Sequence, residues 1–228
     1  GCRDDIMVYL MYKGLDPSDA FKIMEAVRKK DKQPSEEQIQ LMRDHNVPDW
    51  YIKSCLKIQY MFPRAHAVAY VMMSFRMAWY KVYYPREFYA TYFTSVVSDF
   101  DSETILKEPD AILEKIDLIK AKGQAATAKE GSEIIVLEVA YEMYARGFEF
   151  MDMKLGLSDA PKFDVVDGKV LLPFMALSGM GETAAKSFAE EYKIKPYDTI
   201  EEITKRAKVN KASIEALKAR GVLKGLPE

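Results

Sequence analysis

Between Pro63 and Pro85 lies a stretch, His66 to Tyr84, that is apolar on almost every side of a helical projection, with Arg76 and Lys81 as its charged exceptions. Proline has no backbone N–H and clashes with the preceding turn, so the two prolines frame a helix of about 19 residues. A helix this apolar has to be enclosed, which predicts a protein that packs other elements around it. Its uncharged run, Ala67 to Phe75, stops at Arg76, well short of the roughly 18 residues that span a bilayer. The expectation is therefore burial in protein, with no membrane.

The rest of the chain supports a helical framework. Its 228 residues are 49% apolar, enough for one large domain or two modest ones, and 11 Gly and 10 Pro with 13 Met favour helices over a turn-rich β-sandwich. A net charge of -2 conceals 33 basic and 35 acidic residues, so a site for a polyanion has to be a local patch. Cys2 and Cys55 have neither metal-ligand nor disulfide spacing, which fits a reducing cytoplasm and no metal cage. Gly1-Cys2-Arg3-Asp4-Asp5 leads straight into Ile6-Met7-Val8 without an initiator Met, as though entering an established helix, so the chain is expected to be a piece of a longer protein.

Two amphipathic helices are expected before Lys30, separated at Gly14 and restarted by Asp16-Pro17-Ser18, where Asp16 suits the N-cap. The basic run Arg28-Lys29-Lys30-Asp31-Lys32 suits a helix C-terminus. Pro34-Ser35-Glu36 and Val47-Pro48-Asp49 open a third and a fourth helix, and Pro85 another that runs to about Val97. Asp99-Phe100-Asp101-Ser102 caps a longer helical stretch ending near Gly123, and a further helix covers about Gly131 to Arg146. The period then changes: Phe148 to Met153 alternates, and Asp167-Gly168 between Val165-Val166 and Lys169-Val170 signals a β-hairpin. From Leu171 to Leu223 the chain reads as helical again, although Val170 to Phe174 has the composition of a strand.

The sharpest chemical signal is Leu177-Ser178-Gly179-Met180-Gly181-Glu182, followed by Ala184, Ala185 and Lys186. Glycines at a helix start permit a tight turn, so the amides around Ser178, Gly179, Met180 and Gly181 can face a phosphate, with Lys186 adding a point charge. The alternative is a plain helix-helix turn. This pattern resembles the helix-hairpin-helix of sequence-independent DNA-binding modules. In that reading Gly181→Val blocks the tight turn and removes duplex binding. The last 58 residues carry ten Lys and Arg against eight acidic residues, and Thr199 to Leu217 repeats the rhythm without glycines as a degenerate second copy.

Further strings carry a wider resemblance. Tyr60-Met61-Phe62-Pro63-Arg64-Ala65-His66-Ala67-Val68-Ala69-Tyr70 and Ala78-Trp79-Tyr80-Lys81-Val82-Tyr83-Tyr84-Pro85 are similar to the fingers of bacterial C-family replicative polymerases, the DNA polymerase III alpha subunits. Cys2-Arg3-Asp4-Asp5-Ile6-Met7 and Tyr60-Met61-Phe62-Pro63 resemble the PolC type in particular, over essentially the whole chain. The resemblance implies a mainly α fold: the C-terminal part of the fingers over 1–123, a connecting helix and small β element over 124–170, and a helix-hairpin-helix duplex-binding region over 171–228. It also implies nucleotidyl transfer from a deoxynucleoside triphosphate to a primer, with Mg²⁺ held by palm aspartates that lie outside this chain. By itself the chain is then expected to be inactive and to need no cofactor. Primer-template DNA and the incoming triphosphate are the implied partners. The sliding clamp is expected to bind only the full-length protein, through a peptide beyond Pro227.

Within the fingers, the resemblance and the chemistry together nominate Arg3, Arg64 and His66 for the triphosphate and Phe62, with Tyr60 beside it, for the base, while the resemblance implies a place near the triphosphate or the template for Lys22 and Arg28. Each has a plainer reading: Lys22 and Arg28 at a solvated helix end, Phe62 in a core, His66 as an interior histidine. Lys81 either faces DNA or snorkels from a core. Asp99 and Asp101 read as a helix start rather than a metal pair. A stand-alone DNA-binding module would account for the hairpin but leave the apolar helix without a role. A DNA glycosylase would need a catalytic Asp beyond the hairpin, and the one candidate, Asp198, reads as part of a linker.

Overall fold

The computed structural model describes residues 1–29 and 32–227; Lys30, Asp31 and Glu228, and with them the centre of the basic run after the second helix, lie outside the described residues. The fold is mainly α, and it divides into two compact units, Gly1–Met77 and Ala78–Glu228. The divisions at 123/124 and 170/171 both fall inside the second unit.

The first unit contains α1 (Arg3–Tyr12), α2 (Pro17–Val27), α3 (Glu36–Asp44), α4 (Asp49–Lys57) and the start of α5 (Arg64–Tyr83). Asp16 caps α2 by accepting from the Ser18 amide at 2.8 Å, and Ser35 and Gln38 form a reciprocal capping box on α3. Leu10, Ile23, Met42 and Ile52, one from each of the first four helices, meet in its core with Cys55.

In the second unit, Pro85 starts α6 (Pro85–Ser95), and the stretch from Ser102 to Gly123 is two helices, α7 (Ser102–Ile105) and α8 (Pro109–Ala121). Pro109 sits in the first turn of α8, where its missing N–H costs nothing, and it ends the preceding helix. Thr127 and Glu130 cap α9 (Ala128–Ala145). The expected β element is a three-stranded sheet of β1 (Phe150–Met151), β2 (Asp164–Val166) and β3 (Lys169–Leu171), in the order β1-β3-β2. β2 and β3 are antiparallel with Val165 opposite Val170, while β1 runs parallel to β3 with Phe150 opposite Val170. Asp167 and Gly168 both have positive φ, 50° and 75°, the geometry that tight hairpins require. Phe93 of α6 anchors the core, with the rings of Phe100, Phe150 and Phe163 at 5.3, 5.2 and 5.8 Å. After β3 come α10 (Glu182–Ile194), the short α11 (Ile200–Glu202) continuing into a π-turn over Ile203–Ala207, and α12 (Lys211–Ala219).

The expectation of an enclosed apolar helix is corrected. α5 forms as expected but has no buried residue. Tyr70, Met72, Met73 and Phe75 are 63%, 50%, 53% and 74% exposed, and Trp79 and Tyr83 are also exposed. The reason is that both cores are filled by other elements, and no side chain of α5 belongs to either cluster.

Candidate nucleic-acid interface

The glycine-bearing hairpin follows β3. Its first limb is a single 3-10 turn, Phe174–Ala176, in keeping with the strand-like composition before it. Leu177 and Met180 are buried and anchor the turn, whereas Ser178, Gly179 and Gly181 are exposed. The two glycines differ. Gly179 has φ +81°, a backbone that an L side chain rarely adopts, and is the residue that makes the turn tight. Gly181 is the N-cap of α10, with φ -72° and ψ 160°, an extended conformation open to any residue. A Cβ placed there meets no heavy atom within 4 Å. Gly181→Val therefore does not obstruct the turn itself, as the sequence had suggested; it fills the open approach to the helix start.

That approach leads to unpaired donors. The first amides of α10 lack intrahelical partners, and Gly181 has no side chain with which to cap them. Lys186 stands one turn along, but its ammonium is 2.6 Å from Glu182, which it holds below the ordinary carboxylate range while its own value is raised. The expected point charge is thus already half-neutralised. Beside the hairpin lies an open cavity of about 800 Å³, lined among others by Lys107, Lys129 and Ser178 to Glu182.

A second hairpin repeats this backbone. Lys208 (φ +54°) takes the place of Gly179, buried Val209 that of Met180, and Asn210 that of Gly181. Asn210 caps α12 with φ -71° and ψ 159°, almost the Gly181 values, so the degenerate copy read from the sequence has the same geometry. The difference is chemical. The Asn210 side chain accepts from the Ser213 amide at 2.8 Å, so the second helix start is closed by its own residue. Exposed Lys208 and Lys211 flank it. Ser213 Oγ donates to Gly179 O at 3.4 Å, and Arg206 donates to the carbonyls of Glu191 and Lys195 at 2.6 and 2.7 Å while stacking on Tyr197, so the two hairpins form one assembly.

In the first unit the structure gathers five of the nominated residues. Arg3 reaches Glu25 at 3.2 Å, and Arg28 binds the same carboxylate through two N–H groups at 2.6 and 2.9 Å, which holds Glu25 below its ordinary range. The Arg3 amide donates to Phe62 O at 3.0 Å, the Arg64 guanidinium pairs with Asp5, and the Arg64 amide donates to Asp4 at 2.6 Å. His66 is exposed, so it is not an interior histidine; it stacks on Phe62 (5.2 Å) and meets Tyr70 edge-on (4.3 Å). Phe62 is 48% exposed and not a core residue. Lys22 stands outside this cluster, paired with Asp19 at 3.1 Å. The sequence reading missed Glu25, whose i+3 and i+4 spacing to Arg28 and Lys29 was available, and Tyr70, which continues the ladder at i+4 from His66.

The remaining candidates are structural. Lys81 pairs with Glu142 at 2.8 Å and lies over the rings of Phe88 and Tyr89. Asp101 caps α7, and Asp198 pairs with Lys195 at 2.8 Å. Among the described residues no group of three or more His, Cys, Asp or Glu side chains is placed to hold a metal ion. Nor is any helix among them long and apolar enough to cross a membrane.

The helix-hairpin-helix motif family matches residues 147–228, the segment that holds both hairpins. The whole chain aligns at 51% identity with the DNA polymerase III PolC-type of Halalkalibacterium halodurans, covering 100% of this chain and 16% of that protein. Along its whole length the chain matches a segment of PolC-type DNA polymerase III. The PolC-type proteins of Thermotoga maritima and Bacillus subtilis align at 47% and 46% identity, again over 100% of this chain and 16% of theirs. The chain thus spans about one sixth of the length of the PolC-type relatives it matches.

Proposed function

We propose that this PolC-type segment holds the primer-template duplex by its sugar-phosphate backbone and presents a cationic, aromatic cluster to the incoming deoxynucleoside triphosphate. The observation that carries the duplex reading is the uncapped start of α10 behind Gly181, open to solvent and braced by a second hairpin of the same backbone. A phosphate placed there accepts from the free amides and meets the positive end of the helix dipole. Lys186, Lys208 and Lys211 add counter-charge without contacting bases, so recognition is independent of sequence.

In the first unit, Arg3, Arg28 and Arg64 are held in place by Glu25, Asp4 and Asp5. A triphosphate competes with those carboxylates for the guanidinium groups, and the Phe62-His66-Tyr70 ladder offers flat faces to a base. Mg²⁺ would supply Lewis-acid catalysis of nucleotidyl transfer in the parent enzyme, but among the described residues no group of three or more His, Cys, Asp or Glu side chains is placed to hold it. On this reading the segment binds and orients, and the chemistry belongs to other parts of the polymerase.

Fluorescence anisotropy with a primer-template duplex and a matched single strand tests the duplex reading, for wild type and Gly181→Val at two salt concentrations. Duplex affinity is expected to fall with log salt at a slope of about -0.9 per neutralised phosphate, for roughly two to four contacts, and to drop in the variant. Equal affinity of the variant and wild type would reduce the hairpin to a packing turn.

A further inference from the structure

The first hairpin is supported by a hydrogen-bond relay that reaches it from two distant parts of the second unit. Ser102, at the start of α7, is 2% exposed, and its Oγ lies 2.6 Å from the carbonyl of Ala176, the last residue before the hairpin loop. The same Oγ is 2.8 Å from Nη2 of Arg220, at the C-cap of α12. Arginine has only donors, so Ser102 must accept from Arg220, and its single proton is left for Ala176. The direction of the relay is thereby fixed. Arg220 is in turn held by Asp152, just after β1, at 3.1 Å, and its side chain is only 14% exposed. These residues are far apart in sequence and take no part in the phosphate contacts proposed above.

We infer that Arg220 and Ser102 are positioning residues for duplex binding: they set the height of the Ala176 carbonyl, and through it the aim of the free amides at the start of α10, the Met180 amide being already bonded to the Leu177 carbonyl at 3.1 Å. The inference rests on the hairpin being a phosphate clamp. Without the Ser102 hydroxyl, Ala176 has a buried carbonyl with no donor, and the adjacent exposed loop at Ser178 and Gly179 is the part freest to move in response. The guanidinium itself stays with Ser102 and Asp152 and neutralises no phosphate.

The test measures duplex affinity over a range of salt for wild type, Gly181→Val, Ser102→Ala and Arg220→Lys, together with amide hydrogen exchange of the hairpin in the free protein. Lysine is a compact point charge that cannot reproduce the planar two-point contact, so Arg220→Lys probes the same relay if Ser102→Ala fails to fold. Each relay variant is expected to weaken duplex binding roughly tenfold while keeping the wild-type salt slope, and to speed exchange at the hairpin but not in α9. If wild type and Gly181→Val differ as expected but the relay variants bind like wild type, the relay is purely structural and this inference fails alone. A shallower salt slope in Arg220→Lys would overturn it differently, by making Arg220 a direct phosphate ligand. If Gly181→Val binds like wild type, the clamp reading fails and the inference goes with it.

Discussion

Gly179 and Gly181 stand one residue apart, yet substitution should separate their contributions. Gly179→Ala forces a Cβ onto a residue at φ +81° and is expected to cost about 1–2 kcal/mol of stability in urea unfolding. Gly181→Ala has ordinary dihedrals and open space, so it should change stability far less and show its effect in duplex affinity. Tyr89 offers a different test: its buried hydroxyl donates to Glu142 at 2.8 Å and accepts from Arg146 at 3.0 Å. Tyr89→Phe leaves both partners short of a contact and should destabilise the second unit by about 1–3 kcal/mol in the same measurement. The glycine pattern was legible because a tight turn before a helix leaves a local signature. The Arg3–Glu25 pair, 22 residues apart, and the Arg220–Ser102 pair, 118 apart, left none, because only the folded chain brings them together.

Elements whose ends are set by caps and prolines were legible, with Asp16, Ser35, Pro85 and the Asp167-Gly168 turn all acting where the residue chemistry placed them. The stretch from Asp99 to Gly123 was read as one helical run because its apolar period continues through Pro109, which in fact divides it. The start of α9 is where an element responds to pH. Hydrogen bonds from Lys122 and from the Thr127 amide and hydroxyl lower Glu130 from 4.5 to about 2. A carboxyl lowered in the folded state contributes fully above its ordinary value and loses that contribution as pH falls through the folded one. The cap is therefore intact above pH 4.5 and lost on the way down to about pH 2. In an acid titration followed by far-UV circular dichroism, Glu130→Gln should lose helix over a smaller amplitude than wild type in that window.

At the scale of the molecule, two separate cores predict two separable transitions, since a multi-domain chain need not unfold in one step. Leu10→Ala removes a fully buried side chain of the first unit and should cost that unit about 2–5 kcal/mol. In differential scanning calorimetry one transition should fall while the other stays. Whole-chain reasoning succeeded in expecting a mainly α protein with a small β element before paired hairpins. It failed at α5, because hydrophobic patterning says that a surface wants cover and cannot say which polypeptide provides it. That bare helix also has an optical consequence. The protein has two tryptophans, Trp50 on α4 and Trp79 on α5, 69% and 49% exposed. Both emit from water in the folded state, so intrinsic fluorescence is a poor gauge of unfolding but a sensitive gauge of occlusion: whatever settles on α5 shifts Trp79 to the blue, while Trp50 serves as the built-in reference.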